Sequence, residues 1–202
     1  MDAKKKFIAL LQSTERDGMD YVIEELEKSD FFKAPASSNF HLNCEGGLVE
    51  HSLNVCRVAL KFREALLTER EEMRDYLPKD SVIIASLLHD VCKADIYKAV
   101  VKKQKNSFGV WEDVPGYSVD YSNFPLGHGE KSVILLLLWG LDLSDDEIMA
   151  IRWHMSSWDL PFQSNDIRGN YNAAKNKCPL MGLVQAADGM ATNFLEFKMG
   201  EE

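Results

Sequence analysis

The dipeptide His89-Asp90 follows the apolar run Val82-Ile83-Ile84-Ala85-Ser86-Leu87-Leu88 and sets two strong metal-ligand types side by side. Burying an unpartnered polar group costs about 2–7 kcal/mol, and a charge costs more, so such a pair demands satisfaction. A divalent metal satisfies both. His51, His128, His154 and Asp188 lie in comparably apolar segments and offer further ligands. Four imidazoles and two carboxylates exceed what one ion needs if a position is to stay open for water or substrate. Asp90 has two oxygens and can bridge, so the set suits two ions about 3.5–4 Å apart with a hydroxide between them. Lacking thiolates, the donors are compatible with Fe, Mn, Co, Ni, Zn or Mg and select none of them.

These groups lie tens of residues apart, so several helices must pack together to assemble them. Short amphipathic helices are expected over Ala3–Leu11 and Met19–Lys28, separated by Asp17-Gly18. An irregular loop from Phe31 to Asn43 leads to Gly46-Gly47 and a long helix, roughly Leu48 to Glu71, that carries His51. Asp80 or Ser81 is placed to cap the helix bearing His89-Asp90. Tyr97–Lys103 and Val110–Tyr121, rich in β-branched and aromatic residues, predict a small β-hairpin excursion within 97–121.

Helices resume over Gly129–Trp139, and Ser144-Asp145-Asp146-Glu147 is a capping box ahead of His154. A loop through Pro161 and Gly169-Asn170 then precedes a terminal helix from Pro179 to about Met199, which carries Asp188. No repeat or linker divides residues 1–202. The chain reads as one all-α domain, a helical bundle with a β-hairpin excursion and a core over about 46–194.

A net charge of -9 opposes a surface built to track long nucleic acid. It leaves a small phosphorylated ligand open, because metal charge dominates locally in a pocket. Cys44, Cys56, Cys92 and Cys178 show no Cys-x-x-Cys spacing and read as reduced thiols. The N-terminal Lys4-Lys5-Lys6 and the short run Phe7–Leu11 lack a cleavage site. The longest apolar run, Val133–Trp139, falls short of the roughly 20 residues of a membrane span. A soluble, cytoplasmic protein is expected.

The ordered set His51, His89-Asp90, His128, His154 and Asp188 resembles the HD superfamily of metal-dependent phosphohydrolases over roughly Gly46 to Phe194. The strings Gly-Gly-Leu-Val-Glu-His-Ser-Leu, Leu-Leu-His-Asp-Val-Cys-Lys and Ala-Ala-Asp-Gly-Met-Ala-Thr carry the same likeness. The resemblance implies a helical fold, a core metal held by His51, His89, Asp90 and Asp188, and hydrolysis of phosphate esters. His128 and His154 match positions that complete a second metal site in two-metal branches, among them cyclic-nucleotide phosphodiesterases and bacterial HD exonucleases. The chain departs from the cyclic-dinucleotide branch, since Gly116-Tyr117-Ser118 is no equivalent of that branch's Gly-Tyr-Pro. It departs from the alarmone hydrolases too, because Val91-Cys92-Lys93 stands where they carry Glu-Asp. An OB-fold like that of some HD exonucleases is not expected ahead of the domain, which argues against an extended-RNA substrate.

The chemistry implied is attack by a metal-bound hydroxide on phosphorus, the metals lowering the water pKa toward about 7. Asp90 and Lys93 are the candidate catalytic residues. Many members carry lysine at the Lys93 position, where it can donate to a phosphate oxygen; a solvated lysine at a helix end is the alternative. His41 is a candidate substrate contact or proton donor, or a loop histidine without special role. Glu50 and Glu130 either orient imidazoles or sit on the surface. Trp111, Tyr117, Tyr121, Phe124 and Trp158 either stack on a base or pack in the core or hairpin. The expected substrate is a small, nucleotide-like phosphomonoester or phosphodiester. A non-catalytic metal protein binding a phosphorylated ligand and a short-oligonucleotide phosphodiesterase are the alternatives.

Overall fold

The computed structural model describes residues 2–159 and 164–197. Among them are eight helices, α1 (Ala3–Gln12), α2 (Met19–Lys28), α3 (Gly47–Glu69), α4 (Lys79–Leu88), α5 (His128–Leu138), α6 (Asp145–Trp153), α7 (Asn165–Lys177) and α8 (Pro179–Met190), the last followed by a π-helical turn, Ala191–Leu195. The strands β1 (Tyr97–Lys105) and β2 (Trp111–Val119) form one antiparallel hairpin between α4 and α5. The mostly helical fold and the hairpin are as the sequence predicts. Among the described residues, no helix is long and apolar enough to cross a membrane.

α4 explains the architecture. Ser81 through Leu88 are all buried, and a helix apolar on every side belongs in the centre of a bundle. α1, α3, α6 and α8 pack around it. Neither Asp80 nor Ser81 caps it, contrary to expectation: Pro78 holds the cap position and makes no side-chain bond. Asp80 instead lies in the first turn, where a carboxylate favours the helix dipole.

The capping box of α6 forms as expected: Ser144 Oγ accepts from Glu147 N, and Glu147 Oε2 accepts from Ser144 N. Glu147 is completely buried, and Arg16 grips both its oxygens at 2.7 and 2.8 Å. Removing one partner strands the other in low dielectric. Arg16→Met should therefore cost about 3–5 kcal/mol in a denaturant titration, and Arg16→Lys should restore only part, because lysine lacks the bidentate fork.

Gly169-Asn170 does not form a loop but lies inside α7. Ser164 Oγ caps that helix by accepting from Ile167 N, and Tyr171 packs on Trp153 with ring centroids 5.7 Å apart. Cap and packing outweigh the roughly 1 kcal/mol that glycine costs in a helix. Pro161 lies outside the described residues. α8 ends at Met190, short of the expected Met199, which is also outside them.

The hairpin pairs from Tyr97↔Val119 to Lys105↔Trp111 and braces the loop ahead of α3. Lys102 Nζ donates to Ser38 O at 3.0 Å and to Asn39 Oδ1, and Tyr97 Oη donates to Ala36 O. Gly116 makes room for this: a Cβ there would stand 2.7 Å from Lys102 Cδ. Tyr117 packs on Tyr97 within the hairpin. Core packing does not account for Trp111, Tyr121 or Trp158, all of which are exposed. All four cysteines are free, with Cys44 exposed and the others buried.

Candidate metal centre

Helix ends deliver the candidate ligands. His89 and His154 close α4 and α6, His128 opens α5, and Asp188 lies in the last turn of α8. His51 is in the second turn of α3, whose start is set by Gly47: a Cβ there would lie 2.0 Å from Leu42 O. Asp90 leaves the helical region at φ -107°, ψ 20°, the sparsely populated bridge where many active-site residues sit.

The Nδ1 atoms of three imidazoles are occupied. His89 Nδ1 donates to Ser86 O at 2.8 Å, His154 Nδ1 to Ile151 O at 2.7 Å, and His51 Nδ1 to Glu196 Oε1 at 3.0 Å. This leaves each Nε2 to face the centre, the tautomer a metal requires. His51 Nε2 lies 3.3 Å from His89 Nε2, 3.3 Å from Asp188 Oδ1 and 3.6 Å from Asp90 Oδ2. His89 Nε2 is 3.3 Å from Asp90 Oδ2.

Metal bonds of roughly 2.0–2.2 Å at right-angled to tetrahedral geometry separate donors by about 2.8–3.6 Å. The four separations above among His51, His89, Asp90 and Asp188, 3.3 to 3.6 Å, meet that requirement. Two imidazole nitrogens this close must also share a cation, either a proton or a metal. Asp90 Oδ1 faces a second group, 2.7 Å from His128 Nε2 and 3.4 Å from His154 Nε2. His154 Nε2 is buried and makes no hydrogen bond among the described residues, as a metal-facing nitrogen should. All six predicted ligands thus converge.

Charge follows the geometry. Burial opposes ionisation of Asp90, yet Lys93 Nζ at 2.7 Å and the surrounding imidazoles hold its carboxyl well below the usual range. Burial likewise works against the Lys93 ammonium, and Asp90 outweighs it and raises the pKa. Lys93 is therefore not the solvated lysine of the alternative reading. Against burial, Asp188 and Glu196 raise His51 to about 9; His154, also buried, is lowered. Below its raised pKa His51 holds a proton that a metal must displace. Metal uptake should consequently release protons and tighten as pH rises from 6.5 to 8.5, measured by calorimetric titration with Mn²⁺.

His41 stands beside this centre. Its ring lies 4.9 Å from that of His51, and its Nε2 is buried without a hydrogen bond among the described residues. Burial and the neighbouring His51 lower its pKa, which favours its neutral form. A cavity of about 680 Å³ opens over the site, lined among others by His41, Lys93, Trp158 and Lys175.

Glu50 and Glu130 are both exposed, and Glu130 pairs with Arg152. Helical residues one or two positions apart do not face the same way, so Glu50, one before His51, and Glu130, two after His128, point elsewhere. The residue that sequence reasoning missed is Glu196. Asn54, three residues after His51 on the same face of α3, was the available clue, since its amide donates to Glu196 Oε1 at 3.1 Å.

Close helix contact sets the His128–His154 spacing. A Cβ on Gly129 would fall 2.1 Å from Arg152 O and 2.8 Å from Ile151 O, the carbonyl that holds His154. Gly129→Ala should force α5 off α6, lower stability by about 1–3 kcal/mol, and reduce metal content in elemental analysis.

Fold and site together define an HD-type domain. The family model described as the HD domain matches residues 48–193, and the chain belongs to that family. A curated relative is the dihydroneopterin 2',3'-cyclic phosphate phosphodiesterase of Methanocaldococcus jannaschii, 37% identical over 76 residues. That stretch is 38% of this chain and 28% of the relative, so the match spans under a third of the relative's length. No solved structure matches the chain.

Proposed function

We propose that this chain is a two-metal phosphodiesterase acting on a small cyclic phosphate ester that carries a planar heterocycle, and that it works as one HD-type unit. The observation that carries the reading is the division of Asp90, with Oδ2 toward His51 and His89 and Oδ1 toward His128 and His154. His51, His89, Asp90 and Asp188 would hold one divalent ion, and Asp90, His128 and His154 the other. Ions so held would activate water for attack on phosphorus and offset charge on the phosphoryl oxygens. Lys93 donates to a phosphate oxygen. His41, a neutral imidazole at the cavity wall, contacts the substrate.

Trp158, 90% exposed at the cavity, offers an indole face to a ring. The net charge of -9 supports a small substrate over long nucleic acid. The relative's activity on a cyclic phosphate favours a diester over a monoester.

The test is turnover by protein loaded separately with Fe²⁺, Mn²⁺, Co²⁺, Ni²⁺, Zn²⁺ or Mg²⁺. Substrates are 2′,3′-cyclic nucleotides, dihydroneopterin cyclic phosphate, a chromogenic phosphomonoester and a short RNA. Cyclic diesters should be hydrolysed, and chelator should stop the reaction. No metal-dependent turnover on any of these would sink the proposal in favour of a non-catalytic binding protein. Metal analysis should find two ions per chain, falling to one in His128→Ala.

A further inference from the structure

The segment after α8 is inside out. Phe194, Leu195 and Phe197 are 75%, 46% and 68% exposed, while Glu196 among them is only 8% exposed. Burial of apolar area at about 25 cal/mol per Å² favours the reverse arrangement. The π-helical turn Ala191–Leu195 sets the register: Glu196 N closes it by donating to Ala191 O at 3.0 Å. Such turns are rare and concentrate at functional sites.

Inside, the carboxylate is fully engaged. Glu196 Oε1 and Oε2 lie 3.0 and 3.1 Å from His51 Nδ1, and Asn54 Nδ2 donates to Oε1 at 3.1 Å. Arg57 Nη2 donates to Asn54 Oδ1 at 3.0 Å, which leaves the Asn54 amide nitrogen for Glu196. A buried carboxylate is costly unless its geometry is good and its lone pairs are met. Here the partner it meets is a histidine whose other nitrogen faces the candidate metal. Glu196 also lies beyond the stretch 48–193 that the family model matches.

We propose that Glu196 is a positioning residue for the metal centre, accepting the Nδ1 proton of His51 and so presenting Nε2 to the ion. The inference rests on the metal-centre reading above. Carboxylate partners of this kind change metal affinity by about 10–100-fold when removed.

The experiment titrates metal-free wild type and Glu196→Gln with Zn²⁺ by calorimetry, and records imidazole ¹H–¹⁵N spectra of both, with His51 assigned by His51→Gln. Glu196→Gln should bind Zn²⁺ about 10–100-fold more weakly and move the Nδ1–H signal of His51 upfield, because a neutral amide oxygen replaces the carboxylate as acceptor. Equal affinity, or an unchanged His51 signal, overturns the inference alone. A wild type that takes up no metal overturns the metal-centre reading and this inference with it. Should Glu196→Gln fail to fold, the wild-type spectrum decides: a zinc-loaded His51 protonated at Nδ1 supports the assignment, and one bound through Nδ1 overturns it.

Discussion

Asp90→Asn should abolish metal-dependent hydrolysis, with kcat/KM falling by about a thousandfold or more, equivalent to about 4 kcal/mol of transition-state stabilisation. An asparagine keeps the volume but replaces one oxygen by an amide nitrogen without a lone pair. Since Asp90 faces one group of imidazoles with each oxygen, whichever way the amide turns, one group loses its shared donor. Metal analysis of the variant should find at most one ion. Substitution also leaves the buried Lys93 without its 2.7 Å partner, so circular dichroism must show a folded chain before the rate is interpreted. Wild-type turnover in folded Asp90→Asn would refute the bridging role.

Lys93→Met should separate chemistry from metal binding. Lys93 lines the cavity and touches Asp90, but an ammonium cannot ligate a cation. Methionine retains most of the side-chain volume and removes the charge. Metal content should stay unchanged while kcat falls about 10²–10³-fold, the usual cost of removing one donor to a developing anion. A KM effect with kcat intact would assign Lys93 to ground-state binding instead. Loss of metal along with rate would make it a structural counter-ion of Asp90.

The contrast between His89-Asp90 and Glu196 explains what could be read from the chain. His89 and Asp90 were legible because polar groups at the end of an apolar helix break its pattern, and burial makes such breaks expensive. The hairpin and the α6 capping box were legible for local reasons, in β-branched composition and in Ser144 with Glu147. α7 was not. Its one buried residue, Ala174, gives almost no periodicity, and Gly169-Asn170 carries a turn signature that Ser164 and packing on Trp153 override. Glu196 was hidden for the opposite reason, being a charge among exposed aromatics where no burial is suggested.

Donor chemistry was therefore decided by the linear chain: which residues can bind a cation, in what order, and on which kind of element. Their disposition was decided in three dimensions. A histidine's available nitrogen depends on what holds the other one, and for His51 that partner stands 145 residues away. For His89 and His154 it is the carbonyl three residues back, which reaches the ring only because each histidine closes its helix. No local pattern encodes a partner that only packing brings within 3 Å.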